Sequence, residues 1–131
     1  MSPDVLRRKL SAVAVYLQDL RRHENITFEE FMKNHYEIER ILELLIMTAS
    51  DIVMHLLSSR DEAAPSSYRA AFLRAGELGI LSAELSRNLS LSAGLRNILV
   101  HEYEEIDYSI LHQSIPAALR DFTKLIDEFG Q

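Results

Sequence analysis

The sequence predicts an all-α protein, an antiparallel bundle of four long helices and one short helix. Only four glycines and three prolines occur in 131 residues, which leaves few positions for turns. Apolar residues recur at spacings of three and four over long stretches, as they do on the buried face of a helix. The length, without a linker or an internal repeat, indicates a single domain over residues 1–131.

The first predicted helix covers residues 3 to about 22. Ser2 is a suitable N-cap, and Pro3 would occupy the first helical position, where its missing N–H is not needed. One stripe of apolar residues follows at helical spacing: Leu6, Leu10, Val13, Leu17 and Leu20. We expect this stripe to be buried.

The second predicted helix is the longest and runs from Thr27 to about Leu57. Thr27 and Glu30 form a capping box, and Ile26 and Phe31 form a hydrophobic staple around it. Its apolar residues hold near-heptad spacing: Phe31, Ile38, Leu42, Leu45, Ala49, Ile52 and Leu56. Further apolar residues widen that surface: Ile41, Leu44 and Met47. This helix is therefore predicted to contact more than one neighbour, one of which could be a second subunit.

Two helices are predicted after the polar loop of residues 61–67. A short helix over residues 68 to about 78 ends at Gly76 or Gly79. A fourth helix starts near Ser82 and continues to about His101.

The last predicted helix opens at Asp107 or Tyr108 and ends near Phe129. Its apolar residues fall on one side: Leu111, Ile115, Leu119, Phe122, Ile126 and Phe129. Pro116 lies within this pattern. Because proline lacks a backbone donor and clashes with the preceding turn, we expect either a kink or the meeting of two shorter helices.

The charge and residue content exclude several classes of function. The net charge of −6 argues against a general nucleic-acid coat, although a local basic groove stays open. The absence of cysteine excludes disulfides, thiolate metal ligands and cysteine nucleophiles. No apolar run reaches about 18 residues, and the N-terminus lacks a signal-peptide pattern. We therefore expect a cytoplasmic protein without a membrane partner.

The histidines and glycines give no pattern for a metal or phosphate site. The five histidines are scattered, and none has His-x-x-x-His or Glu-x-x-His spacing. No glycine-rich loop and no Gly-x-Ser-x-Gly elbow occur. The sequence thus predicts no metal and no cofactor.

One dense segment, residues 94–107, carries the chemistry. On a helix, Arg96 and Tyr103 share one face, and Asn97 and His101 share the adjacent face. Histidine titrates near neutral pH, as general acid–base work requires, and arginine is suited to hold a phosphoryl group. A structural interpretation stays open, because cationic side chains also favour a helix C-terminus and Arg96 could pair with a carboxylate.

The stretch from Arg96 to Tyr103 resembles the Arg-x4-His-x-Tyr motif of HepT-like toxins in the HEPN superfamily. The resemblance extends to the long helix over residues 36–57, to the break at residues 76–80 and to the Tyr-x-x-Ile-Asp of residues 103–107. It covers nearly the whole chain. An HEPN-like helical domain is what it implies.

The resemblance implies an endoribonuclease toxin that cleaves RNA, tRNA among the candidates, without a metal. It acts as a homodimer whose Arg-His pairs line one cleft. A minimal nucleotidyltransferase antitoxin of the MntA type is the implied partner, and it transfers AMP to the motif tyrosine, here Tyr103.

The residues take roles under this resemblance. His101 is the acid–base group, and Arg96 holds the scissile phosphate. Asn97 orients His101 or donates to phosphate, and Tyr103 contacts substrate. Asp51, four residues before His55, either supports the cleft or is a polar pair at the bundle edge.

Two alternatives compete with the nuclease. The first is a non-catalytic helical module that docks a nucleotidyltransferase or binds nucleotide, using Arg96 and His101 for binding alone. The second is a purely structural bundle. The remaining tyrosines are expected to pack in the core rather than to stack on bases: Tyr16, Tyr36, Tyr68 and Tyr108. Three acids near the motif oppose RNA and are expected to face the antitoxin: Glu102, Glu104 and Glu105.

Overall fold

A computed structural model of the chain describes residues 3–129, with the exception of the side chains of Val100 and Tyr103. The described residues form helices and no strand, which confirms the predicted all-α class. The elements are α1 (Pro3–Arg21), α2 (Phe28–Lys33), α3 (His35–Ser59), α4 (Tyr68–Glu77), α5 (Ala83–His101), a 3₁₀ turn (Tyr103–Glu105), α6 (Tyr108–Gln113) and α7 (Ile115–Phe129).

Two breaks turn the five predicted helices into seven. The predicted second helix is interrupted at Asn34, whose side-chain Nδ2 donates to the Glu30 carbonyl at 2.8 Å and competes with the helical ladder. The last helix is interrupted at Ser114, whose Oγ donates to the Leu111 carbonyl at 2.6 Å. Pro116 then lies in the first turn of α7, where its missing N–H is tolerated. The continuous second helix was a wrong prediction, and the meeting of two pieces near Pro116 is confirmed.

The core surrounds α3, which contacts α1, α2, α4, α5 and α7. Most residues of the predicted apolar stripes are buried there, with Val13 and Leu20 from α1 and Leu45 and Ile52 from α3 among the fully covered side chains. The stripes end in half-buried residues that pack against the core: Leu6, Leu10, Leu56, Ile126 and Phe129. This contact with several neighbours is what the wide apolar surface of the helix predicted. Burial of such side chains supplies the main stabilising free energy of the bundle.

Helix α3 is long and apolar enough, by length and composition, to cross a membrane, and half of its most apolar window is buried among the other helices. Charged residues such as Glu43 and Asp51 interrupt the apolar residues of α3, so that no uninterrupted apolar run in it reaches about 18 residues. A core helix of a bundle has the same properties.

Side-chain caps fix where the helices begin. The Thr27 hydroxyl oxygen accepts the Glu30 N–H at 3.2 Å, as the capping box predicted. The Ser82 hydroxyl accepts the Leu85 N–H at 3.3 Å and donates to a Glu128 carboxylate oxygen at 2.7 Å. Ser82 therefore both caps α5 and ties its first turn to α7.

Helices α4 and α5 pack in direct contact at Gly76. A Cβ added at Gly76 would lie 2.5 Å from the Ser86 Cβ and closer still to its Oγ, while a Cβ at Gly94 on the same helix pair would meet nothing within 4 Å. We expect Gly76→Ala to lower the free energy of unfolding by about 1–3 kcal/mol through overpacking. Gly94→Ala is expected to raise it by about 0.5–1 kcal/mol, because alanine favours a helix interior. Urea unfolding of the two variants checks this, and equal shifts in one direction would contradict the close contact.

Candidate functional site

Helix α5 carries the motif and is held by neighbours on one side. Its residues Leu85, Leu89 and Ala93 are buried in the core, and Leu95 and Leu99 pack against it. Because apolar residues anchor this side, Arg96, Asn97 and His101 are left at the surface of the bundle. The apolar spacing of α5 thus sets the direction in which the polar motif faces.

The Arg96 side chain lies in a cleft of about 440 Å³ between α4 and α5. Its guanidinium carbon stands 5.1 Å from the centre of the Tyr68 ring, in cation–π geometry. Its Nε is buried without a hydrogen-bond partner. Among the described residues Arg96 has no ion-pair partner. The alternative in which Arg96 only pairs with a carboxylate therefore has no support there. Residues from α3, the α3–α4 loop, α4 and α5 line this cleft: Met54, Pro65, Ser66, Ser67, Tyr68, Arg69, Ala93, Arg96 and Asn97.

His101 lies apart from Arg96 within one chain. It is the last residue of α5, is exposed, and lines a separate pocket of about 320 Å³ with Glu102, Glu104 and Glu105. Five residues along a helix correspond to about 7.5 Å of rise and about 140° of rotation. A single protomer therefore presents the two side chains in different clefts.

Asn97 and Asp51 have different surroundings. Asn97 is exposed and lines the Arg96 cleft, one helical turn before His101. Asp51 on α3 lies 3.6 Å from Lys9 Nζ in an ion pair and lines neither cleft. In the described part of the chain His55 forms no hydrogen bond or ion pair with Asp51. The geometry brings Asn97 to the site and leaves Asp51 in a contact between α1 and α3.

Tyr103 follows the end of α5. The helix stops at His101, with Glu102 at its C-cap, and Tyr103 opens the 3₁₀ turn. The expectation that Arg96 and Tyr103 share a helix face required α5 to continue, and it does not. The Tyr103 side chain lies outside the described residues. The backbone alone places Tyr103 two residues after His101, at the same end of the bundle.

The rest of the motif segment is structural. Ile106 packs against the core. The Asp107 carboxylate accepts the Ser109 N–H at 3.0 Å and the Ile110 N–H at 3.2 Å, and so caps α6. The Ile-Asp of the motif therefore anchors the segment after His101.

Tyr108 closes the same segment against α3. Its ring lies 4.8 Å from the ring of His35, whose Nδ1 is 2.6 Å from a Glu39 carboxylate oxygen. Burial raises the pKa of Tyr108 above its ordinary value, and the charge of Glu39 and the neighbouring Tyr36 raise it further. Tyr108 thus packs as the sequence predicted and holds the start of α6. The same prediction was wrong for Tyr36, which is 79% exposed because it lies on the outer side of α3.

The sequence missed two residues of the cleft. Tyr68 packs against the core, as predicted, but no feature of the sequence indicated that its ring also contacts Arg96. Arg69 had no predicted role and lines the same cleft. Neither could be found from spacing, because both are more than 25 residues from the motif and meet it only through α4–α5 packing. Within residues 3–129 no group of three or more His, Asp or Glu side chains could hold a metal ion.

Two known proteins with similar sequences are nucleases. The tRNA nuclease HepT of Aphanizomenon flos-aquae is 32% identical over 125 residues, covering 93% of this chain and 85% of that protein. The mRNA nuclease HepT of Shewanella oneidensis is 34% identical over 77 residues, covering 59% of this chain and 58% of that protein.

A solved structure has the same fold. The tri-AMPylated HEPN toxin of Shewanella oneidensis, in complex with MNT antitoxin, superposes with a TM-score of 0.87 at 23% identity and covers 99% of this chain and 98% of that one. This likeness shows an HEPN fold. A family model described as Ribonuclease HepT-like matches residues 13–129. Because that match spans nearly the whole chain, the chain belongs to the ribonuclease HepT-like family.

Proposed function

We propose that this protein is the toxin of a toxin–antitoxin pair, an endoribonuclease that cleaves RNA without a metal ion. The observation that carries the proposal is the Arg-x4-His pair at the outer end of α5, where Arg96 has no ion-pair partner among the described residues and His101 is exposed. The names of its relatives support the class of reaction, with tRNA and mRNA as the candidate substrates. Its single domain, residues 1–131, works in the cytoplasm.

The reaction is an internal transesterification of the RNA backbone. One imidazole takes the 2′-OH proton, the 2′-oxygen attacks phosphorus, and the bond from phosphorus to the 5′-oxygen breaks. A second imidazole donates the proton that the leaving 5′-oxygen takes up, and the other product is a 2′,3′-cyclic phosphate. Arg96 binds the phosphoryl oxygens, where negative charge develops. Asn97 donates to the same phosphate.

A homodimer supplies the second imidazole. One protomer offers only one motif histidine, and a two-fold axis brings a second His101 and a second Arg96 to the same cleft. Exposed apolar side chains near the motif support self-association, since Leu91 on α5 is 71% exposed and Ile110 on α6 is 62% exposed. Both line a groove that Leu95, the residue directly before Arg96, also lines.

The partner in this proposal is a minimal nucleotidyltransferase antitoxin of the MntA type. It transfers AMP to the Tyr103 hydroxyl, and the AMP then blocks the cleft by its bulk and charge. The related toxin solved with an MNT antitoxin and carrying AMP supports this pairing. The acidic surface around His101, formed by Glu102, Glu104 and Glu105, faces the antitoxin.

That acidic surface also favours a second candidate function. Three glutamates line the His101 pocket, and they repel an RNA backbone. A non-catalytic module that docks a nucleotidyltransferase would tolerate this charge. The two candidates differ in whether the isolated protein cleaves RNA.

The test is cleavage of RNA by the purified protein in EDTA. We expect tRNA and mRNA fragments to accumulate at the same rate with and without the chelator, and the 5′ fragments to end in a cyclic phosphate. Cleavage that stops in EDTA would contradict metal independence. Intact RNA under both conditions, with a folded dimer, would favour the docking module.

A further inference from the structure

The cleft beside Arg96 is locally basic in an acidic protein. The net charge of the chain is −6, yet two arginines and no carboxylate line this cleft. In the described part of the chain neither Arg69 nor Arg96 has an ion-pair partner. Two unpaired arginines that face one open space favour an anionic ligand.

The α3–α4 loop offers further hydrogen-bond donors to the cleft. Ser66 and Ser67 lie in the lining, just before Arg69. The Ser67 hydroxyl oxygen accepts the Ala70 N–H at 3.0 Å, which leaves its O–H free to donate outward. The volume of about 440 Å³ is that of a small-ligand site.

The Tyr68 ring contacts the Arg96 guanidinium in this cleft. With the Arg96 carbon 5.1 Å from its ring centre, the ring restricts where the guanidinium can lie. The Arg96 Nε–H is buried without an acceptor, although buried donors are nearly always satisfied.

We propose that this cleft binds the RNA phosphate adjacent to the scissile one, with Arg69 as its cation and Tyr68 as a positioning residue for Arg96. This inference rests on the proposed ribonuclease function. RNA is the ligand that fits. Arg96 lines the cleft and, under the proposed function, holds the scissile phosphate, so the next stretch of the RNA backbone would pass Arg69. The same contacts would suit a free nucleotide, and the experiment separates the two.

The test uses wild-type protein and a fully 2′-O-methylated RNA oligonucleotide, which lacks the attacking hydroxyl and cannot be cleaved. We expect Arg69→Ala to weaken its binding about tenfold. The slope of log affinity against log salt should fall by about 0.7, the value for one phosphate contact on a single strand. Arg87→Ala is the matched control, since Arg87 is exposed on α5 and lies outside the cleft. Equal affinity and equal slope for both variants would overturn the subsite.

Two further arms separate the neighbouring explanations. If AMP binds the wild type, is lost in Arg69→Ala, and RNA affinity is unchanged, the cleft is a nucleotide site and the RNA subsite is wrong. For Tyr68, we expect Tyr68→Leu to lower kcat for RNA about tenfold with little change in KM, and Tyr68→Phe to restore kcat because the ring is kept. Loss in both variants would overturn the positioning role. Because binding is measured on uncleavable RNA, failure of the nuclease in EDTA is a separate result.

Discussion

His101→Ala is expected to lower the rate of RNA cleavage by about 10²–10⁴-fold, the range for removal of a general acid–base group. The side chain is exposed and forms no hydrogen bond among the described residues, so its loss leaves packing unchanged. The thermal unfolding midpoint should therefore match that of the wild type, and expression of the variant should no longer arrest bacterial growth. Retained cleavage by a folded variant would remove His101 from the site.

Arg96→Ala is expected to lower the rate about 10²–10³-fold, because it removes the donor that stabilises charge on the phosphate. Arg96→Lys should recover only part of the rate, since an ammonium keeps the charge and loses the two-pronged geometry. Arg87→Ala on the same helix is the matched control and should cleave like the wild type. Equal losses in Arg96→Ala and Arg87→Ala would indicate a general charge effect.

Both variants presuppose a shared cleft. One protomer places Arg96 and His101 in separate clefts of α5, so catalysis by the pair needs a second copy. Light scattering at micromolar concentration should then give about twice 15.0 kDa. An active protein that stays monomeric would contradict the shared cleft and leave the roles of the two residues unexplained.

The sequence predicted those features of the fold that depend on neighbours along the chain. The Thr27 cap, the apolar stripe of α1 and the interruption near Pro116 all follow from local spacing and turn chemistry. The break at Asn34 does not, because the apolar pattern continues through it. A side-chain hydrogen bond from Asn34 to Glu30 decides it, and several residue types in a helix can form such a bond without ending it.

In the candidate site, too, the local features could be predicted from the sequence and the tertiary contacts could not. The Arg-x4-His pair can be recognised from the sequence because it is local, and its position on the outer side of α5 follows from the buried leucines of that helix. The contact of Tyr68 with Arg96 depends on how closely α4 approaches α5, which Gly76 and Ser86 determine. The spacing of residues along the sequence cannot predict the distance between Tyr68 and Arg96, because that distance depends on tertiary packing.

Tyr103→Phe is expected to abolish the attachment of AMP when the protein is co-expressed with its nucleotidyltransferase antitoxin. The Tyr103 oxygen attacks the α-phosphorus of ATP, the bond to pyrophosphate breaks, and the phenol proton leaves. Phenylalanine has no oxygen to make this bond. Intact mass should show AMP units on the wild type and none on the variant, and the variant should stay toxic in the presence of the antitoxin.

The matched control for this prediction is Tyr36→Phe. Tyr36 is 79% exposed on α3, so its hydroxyl is freely available to any enzyme that modifies tyrosines at random. If the antitoxin selects the motif segment, Tyr36→Phe keeps its AMP units and stays neutralised. AMP that persists on Tyr103→Phe and disappears from Tyr36→Phe would place the acceptor at α3. Neutralisation would then act at a distance from His101 rather than by filling the cleft with an anion.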